Sequence, residues 1–86
     1  MMASFSNIVE AVKAVINEMI STPEKLPRYM TVKQLELTLN ELDKMNQIRD
    51  MNLFMPYYPK GIADCWDLND KLGRELLAVL DIYMKL

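Results

Sequence analysis

Apolar residues recur at steps of three and four positions in three stretches of the chain, a spacing typical of helices with one buried face. The stretches cover residues 4–21, 31–50 and 67–86. In the first, the repeating apolar positions are Phe5, Ile8, Val9, Val12, Val15, Ile16 and Met19. We therefore predict three helices over these ranges, each packing its apolar face into a shared core.

Residues that favour helix starts stand where these stretches begin. Ser4 or Ser6 can cap the first helix. Thr31 and Gln34 fit a capping box, in which the glutamine side chain reaches back to the cap. Asp67 is expected to cap the last helix.

Leu37 is the one leucine of the second stretch that does not fit the helical stripe. Leu35, Leu37 and Leu39 alternate with polar residues, which is also the period of a strand. A helix is favoured because the pattern continues through Asn40–Arg49 without a helix breaker. Leu37 then lies outside the buried stripe, either as an ordinary exposed leucine or as part of a second contact face.

The segment between the second and last helices is rich in aromatic residues and proline. Pro56 and Pro59 each remove a backbone donor, which predicts a loop over residues 51–61. A short helical turn is expected over residues 62–66, before the last helix. The loop is more apolar than a solvent-exposed connection, so part of it must be covered.

This aromatic loop supplies the candidate binding surface. Leu53 and Phe54 are expected to plug the ends of the first two helices. The remaining candidates, joined by the leucine outside the stripe, form a predicted partner-binding surface of Met55, Tyr57, Tyr58, Lys60 and Leu37.

Length and composition fit one small helical domain over residues 1–86. The chain has 86 residues, 51% of them hydrophobic and 26% charged, a globular balance that argues against disorder. With only two glycines and many strong helix formers, an all-α fold is favoured. We expect an antiparallel bundle of three helices, or four if residues 62–66 form a helix.

The last helix carries more apolar surface than one buried face needs. Beyond its main stripe, the additional apolar positions are Leu77, Ile82, Met84 and Leu86. A helix with such a wide apolar surface is either central to the bundle or shared with a second subunit. A core of this size also gains from association, so a homodimer is predicted.

Candidate catalytic chemistry is sparse. The sequence has no histidine, which removes the commonest general base and metal ligand and excludes Cys–His and Ser–His–Asp sites. The single cysteine, Cys65, lies between acidic residues that disfavour its thiolate, so a small buried side chain is expected, alongside buried Ile62 and Trp66. The sequence therefore indicates a non-enzymatic protein without a cofactor.

Three aspartates offer the alternative of a metal-dependent ligand-binding or hydrolytic protein. Asp64, Asp67 and Asp70 recur at three-residue steps and could present carboxylate oxygens to Mg²⁺ or Ca²⁺. Helix capping explains Asp67 and Asp70 without any metal. The predicted metal set is therefore none, with the three aspartates as the alternative.

Charge makes nucleic acid a weaker alternative. The net charge is −2, without a basic footprint for phosphates. A small stacking platform for single strands would need three bases and three aromatic residues: Lys60, Lys71, Arg74, Tyr57, Tyr58 and Trp66. A nucleic-acid-binding regulator is therefore the last of three hypotheses.

The sequence also allows predictions of the protein's location and partner. No apolar run reaches the ~18 residues of a membrane span, and the N-terminus does not resemble a signal peptide. The lone cysteine fits a reducing compartment. A cytoplasmic interaction module of the adaptor, chaperone, immunity or regulatory type is the leading hypothesis, with another protein as its partner.

Overall fold

The computed structural model describes residues 4–86 and confirms the prediction of an all-helical chain, with no strand in that range. It has four α-helices and one 3-10 turn, at Pro23–Lys25. The helices are α1 (Phe5–Ser21), α2 (Val32–Ile48), α3 (Tyr58–Cys65) and α4 (Lys71–Met84).

The core lies where α1 packs against both α2 and α4, with α3 in contact with α2 and α4. Its side chains come from all four helices and, at Met30 and Trp66, from the segments that join them. The most deeply buried apolar ones are Val9, Ile16, Leu35, Leu42, Met45, Leu76, Val79 and Tyr83. The 3.6-residue period thus identifies most of the inward faces of the long helices. The prediction is wrong for Val15, which is 41% exposed at the margin of the buried stripe of α1.

Contacts at the start of α1 show how the long helices meet. The Ser6 hydroxyl donates to Asn46 Oδ1 near the end of α2, at 3.0 Å. The Phe5 ring stacks on the Tyr83 ring near the end of α4, with 6.0 Å between centroids. These contacts are compatible with α1 running antiparallel to both neighbours.

The first two helices begin at the expected caps. Ser4, rather than Ser6, caps α1 by accepting from the amide of Asn7 at 3.2 Å. Thr31 caps α2 by accepting from the amide of Gln34 at 3.1 Å. The Gln34 side chain does not return to the cap as a capping box requires. Its Oε1 accepts from the Trp66 indole at 3.1 Å instead.

Two predicted boundaries are wrong in the second half of the chain. Residues 58–61 belong to α3 rather than to the loop, because Pro59 stands in the first helical turn, where its missing N–H is not needed. The last helix begins at Lys71 rather than at residue 67. Asp70 is its cap and accepts from the Gly73 amide at 2.9 Å. Asp67 accepts from the amide of Asn69 in the preceding turn.

The helix ends after residue 48 and after residue 84 also differ from the predicted 50 and 86. Arg49 ends α2 in the left-handed conformation, with a φ of 53°. Lys85 lies just beyond α4 as its C-cap. Over residues 4–86, none of the helices combines the length and the apolar character needed to cross a membrane.

Candidate functional site

A groove runs between α2 and the start of α3, with a volume of about 410 Å³. Most of its exposed surface is apolar, although half of the residues that line it are polar or charged: Gln34, Thr38, Asn40, Glu41 and Lys44. We call it the α2–α3 groove. The side chains that define it here are Leu37, Glu41, Lys44, Phe54, Tyr57 and Tyr58.

Two of the predicted binding residues meet in this groove from different helices. Leu37 lies on the outer side of α2 and is 55% exposed. Tyr57 stands at the start of α3 and is 82% exposed. The structure thus brings together two apolar side chains that are 20 positions apart in the chain.

Tyr58 is not the exposed surface residue that the sequence suggests. It is only 7% exposed, and its hydroxyl donates to the carbonyl of Leu76 at 2.8 Å. Burial, together with the nearby Glu41 carboxylate, raises the pKa of the Tyr58 hydroxyl. The residue therefore fastens α3 to α4, and only part of it lines the groove.

The other predicted surface residues have separate positions. Met55 and Lys60 are exposed but do not line the groove. Phe54 is half-buried and packs against the core, and Lys44 Nζ lies 5.6 Å from the centre of its ring. The prediction that Leu53 covers the ends of the first two helices is wrong, because this side chain is exposed.

Glu41 is a site residue that the sequence pattern did not identify. Its carboxylate accepts hydrogen bonds from the backbone amides of Tyr57 and Tyr58, the second at 2.9 Å. It therefore caps α3 from a neighbouring helix, since the Tyr57 side chain makes no capping bond. The absence of a local capping residue before α3 is the signal that could have indicated a distant one.

Gly61 allows α3 to approach α2 closely at the inner end of the groove. A Cβ atom at this position would lie 3.1 Å from Gln34 Nε2. That distance is tighter than most real contacts of a Cβ atom. The glycine thus serves the packing of two helices, rather than the flexible backbone of a loop.

Asp67 and Asp70 serve the fold, and the three aspartates do not form one cluster. Asp70 Oδ1 caps α4, and its Oδ2 accepts from the Tyr29 hydroxyl at 2.6 Å. That hydrogen bond is the main cause that raises the pKa of Tyr29 to about 12. Asp64 and Asp67 are exposed. Within residues 4–86, no three His, Cys, Asp or Glu side chains are grouped to hold a metal ion.

The burial of individual side chains also tests the predictions for Cys65 and for the nucleic-acid stacking platform. Ile62 and Trp66 are buried, as predicted, but Cys65 is exposed, and the expectation that it is buried is wrong. Because Trp66 and Tyr58 are both in the core, the three-aromatic stacking platform for single-stranded nucleic acid does not form.

Comparisons of this chain with protein-family models, with curated proteins and with solved structures find no significant match. The geometry of the α2–α3 groove is therefore the basis for a functional assignment. The groove offers apolar contact area and the Lys44 ammonium, while the carboxylate of Glu41 is occupied by backbone amides. Such a surface suits the apolar side chains of another molecule.

Proposed function

We propose that this protein is a non-enzymatic protein-interaction module whose α2–α3 groove receives an apolar segment of another protein. The observation that supports it is the convergence of Leu37 and Tyr57 on one concave apolar surface. Single exposed apolar side chains are ordinary, whereas a contiguous apolar patch commonly marks a binding site. In this proposal the four helices form a small antiparallel bundle that holds the two walls of the groove in place.

Photocrosslinking tests the groove directly. With Tyr57 replaced by the photoreactive p-benzoyl-phenylalanine, illumination of cells that make the protein is expected to give a discrete crosslinked species. Leu37→Ser should remove that species by taking away apolar contact area. The same substitution should change the free energy of unfolding by no more than about 0.5 kcal/mol, because Leu37 is exposed.

Leu68 provides the matched control, since it is 87% exposed and does not line the groove. A crosslinker at position 68 should not give the same species. Identical species from positions 57 and 68, or a species at position 57 that persists in Leu37→Ser, would contradict the proposed groove.

Self-association through α4 is a second proposal, supported by a different surface. Leu77, Ile82 and Met84 are exposed on this helix, and Leu86 is exposed just beyond it. Leu77 and Met84 are seven positions apart and therefore share one side of the helix. A two-fold pairing of these surfaces would bury the same patch on both subunits.

Sedimentation at micromolar concentration tests the homodimer. The unmodified protein is expected to sediment as a dimer, and Leu77→Glu/Met84→Glu as a monomer, because each substitution places a charge in an apolar contact. Leu68→Glu is the control, since it changes an exposed leucine outside α4 and should leave the dimer intact. A monomeric unmodified protein would be the contrary result.

A further inference from the structure

The side-chain amide of Gln34 has a fixed orientation at the inner end of the α2–α3 groove. Its Oε1 accepts from the Trp66 indole at 3.1 Å. Because an indole nitrogen can only donate, the amide oxygen must face Trp66, and this places Nε2 on the other side. Nε2 lies beside Gly61, where a Cβ atom would be 3.1 Å from it. The missing side chain at position 61 thus leaves an N–H donor on the groove surface.

This donor has no acceptor in the part of the chain that the structure describes. Over residues 4–86, the Gln34 side chain accepts from Trp66, while its Nε2 makes no hydrogen bond. Nε2 is also open to solvent, because no buried side-chain nitrogen or oxygen in that range lacks a partner. A molecule that covers the groove must therefore offer Nε2 an acceptor or leave an unpaired donor, which would weaken its binding.

The width of the groove matches a single extended chain. The groove follows α2 from Gln34 to Lys44, ten positions or about 15 Å at the rise of a helix. A volume of about 410 Å³ over that length gives a mean cross-section of roughly 27 Å², or about 5 Å on a side. A helix with its side chains is about 10–12 Å across, whereas extended chains lie about 4.8 Å apart in a sheet. The groove can thus seat an extended segment, while a helix could insert only single side chains.

From this arrangement we infer that Gln34 determines specificity by donating from Nε2 to a backbone carbonyl of an extended, apolar segment of the partner. The inference rests on the proposed function and specifies the conformation and the polar contact of the bound segment. An extended segment has carbonyls without partners in its own chain, whereas a helix bonds most of its carbonyls internally. The apolar anchor of the segment lies between Leu37 and Tyr57.

Gln34→Glu separates the donor from the structural role of this side chain. The carboxylate still accepts from the Trp66 indole but has no N–H to donate at neutral pH. The probes are peptides selected from a random library on the whole protein, and those that lose affinity in Leu37→Ser are kept. In fluorescence polarisation, Gln34→Glu is expected to weaken their binding about tenfold, while its melting temperature stays within about 3 °C of the unmodified protein.

Asn40→Asp is the matched control for charge. It makes the same amide-to-carboxylate change on the groove surface and leaves the Gln34 donor in place. Binding of the selected peptides to Asn40→Asp should stay within about twofold of the unmodified protein. An equal loss in both variants would overturn the inference, because it would assign the effect to negative charge.

Replacing the peptide bonds of a selected peptide one at a time with esters locates the acceptor on the unmodified protein. An ester carbonyl accepts hydrogen bonds more weakly than an amide carbonyl. One ester position should therefore weaken binding to the unmodified protein, and the same ester should have little further effect in Gln34→Glu. If no ester position depends on Gln34, the assignment of a backbone carbonyl is wrong.

The outcomes separate this inference from the proposed function. Peptides that require Leu37 but bind Gln34→Glu as tightly as the unmodified protein would overturn the inference and leave the groove as a docking site. A library that yields only peptides indifferent to Leu37→Ser, or no peptide, would overturn both.

Discussion

Replacing Trp66 with alanine is expected to lower the free energy of unfolding by about 3–5 kcal/mol. Trp66 is 6% exposed and packs at the junction of three segments. Its Cε3 is 3.1 Å from where a Cβ of Gly73 would lie, and its ring centre is 6.3 Å from that of Tyr29. Alanine would leave a cavity and remove the indole donor that Gln34 Oε1 accepts from.

This loss is large for a chain of 86 residues, whose total stability is expected to be about 4–13 kcal/mol. The melting temperature should therefore fall by at least about 12 °C, measured by circular dichroism of the helices. Trp66→Phe keeps an aromatic ring and removes the indole donor, so a loss of only about 1–2 kcal/mol is expected. Tyr57→Ala is the exposed control. A Trp66→Ala variant as stable as Tyr57→Ala would show that the junction does not support the fold.

The buried faces of the long helices could be predicted from the sequence because each satisfies the helical period over many turns. Val9 and Ile16 in α1, and Leu35 and Leu42 in α2, are all buried as that period requires. The start of α2 is likewise local, since Thr31 caps a helix that begins one residue later.

The shorter elements could not be predicted in the same way, because distant contacts decide them. Pro59 is equally suited to a loop or to a first helical turn, and the contacts that favour the helix come from distant residues, Glu41 and Leu76 among them. Asp67 and Asp70 are both suitable caps by residue type. The turn that follows buried Trp66, with the Asp70 amide bonded to the Asp67 carbonyl, places the second of them at the start of α4.

The same distinction applies to the candidate site: the sequence indicates some of its residues, and distant contacts decide the others. The sequence alone indicates Leu37 and Tyr57 as surface candidates. Leu37 is apolar but lies outside the buried stripe of its helix, and Tyr57 lies in the predicted loop. Tyr58 has the same side chain as its neighbour, and its burial depends on reaching the carbonyl of Leu76, 18 positions away.

Replacing Glu41 with alanine is expected to destabilise the chain by about 2 kcal/mol, because two backbone amides at the start of α3 lose a charged acceptor. The effect should concentrate in α3. This helix has only eight residues, too few to persist without its contacts to neighbouring helices. In hydrogen exchange, the amides of residues 61–65 should lose protection, while those in the middle of α1 and α2 retain most of theirs.

Two variants separate the capping effect of Glu41 from a general loss of negative charge. Glu36→Ala removes an exposed carboxylate from the same helix and should change stability by less than about 0.5 kcal/mol. Glu41→Gln keeps one side-chain oxygen as a neutral acceptor. Its loss of stability should therefore lie between the losses for Glu36→Ala and Glu41→Ala. Because Tyr57 stands at the start of α3 and lines the groove, Glu41→Ala should also reduce the photocrosslinked species from position 57, although Leu37 is unchanged. If α3 keeps its protection in Glu41→Ala, the wall of the groove is held by the buried Tyr58 and Ile62 instead of by the cap.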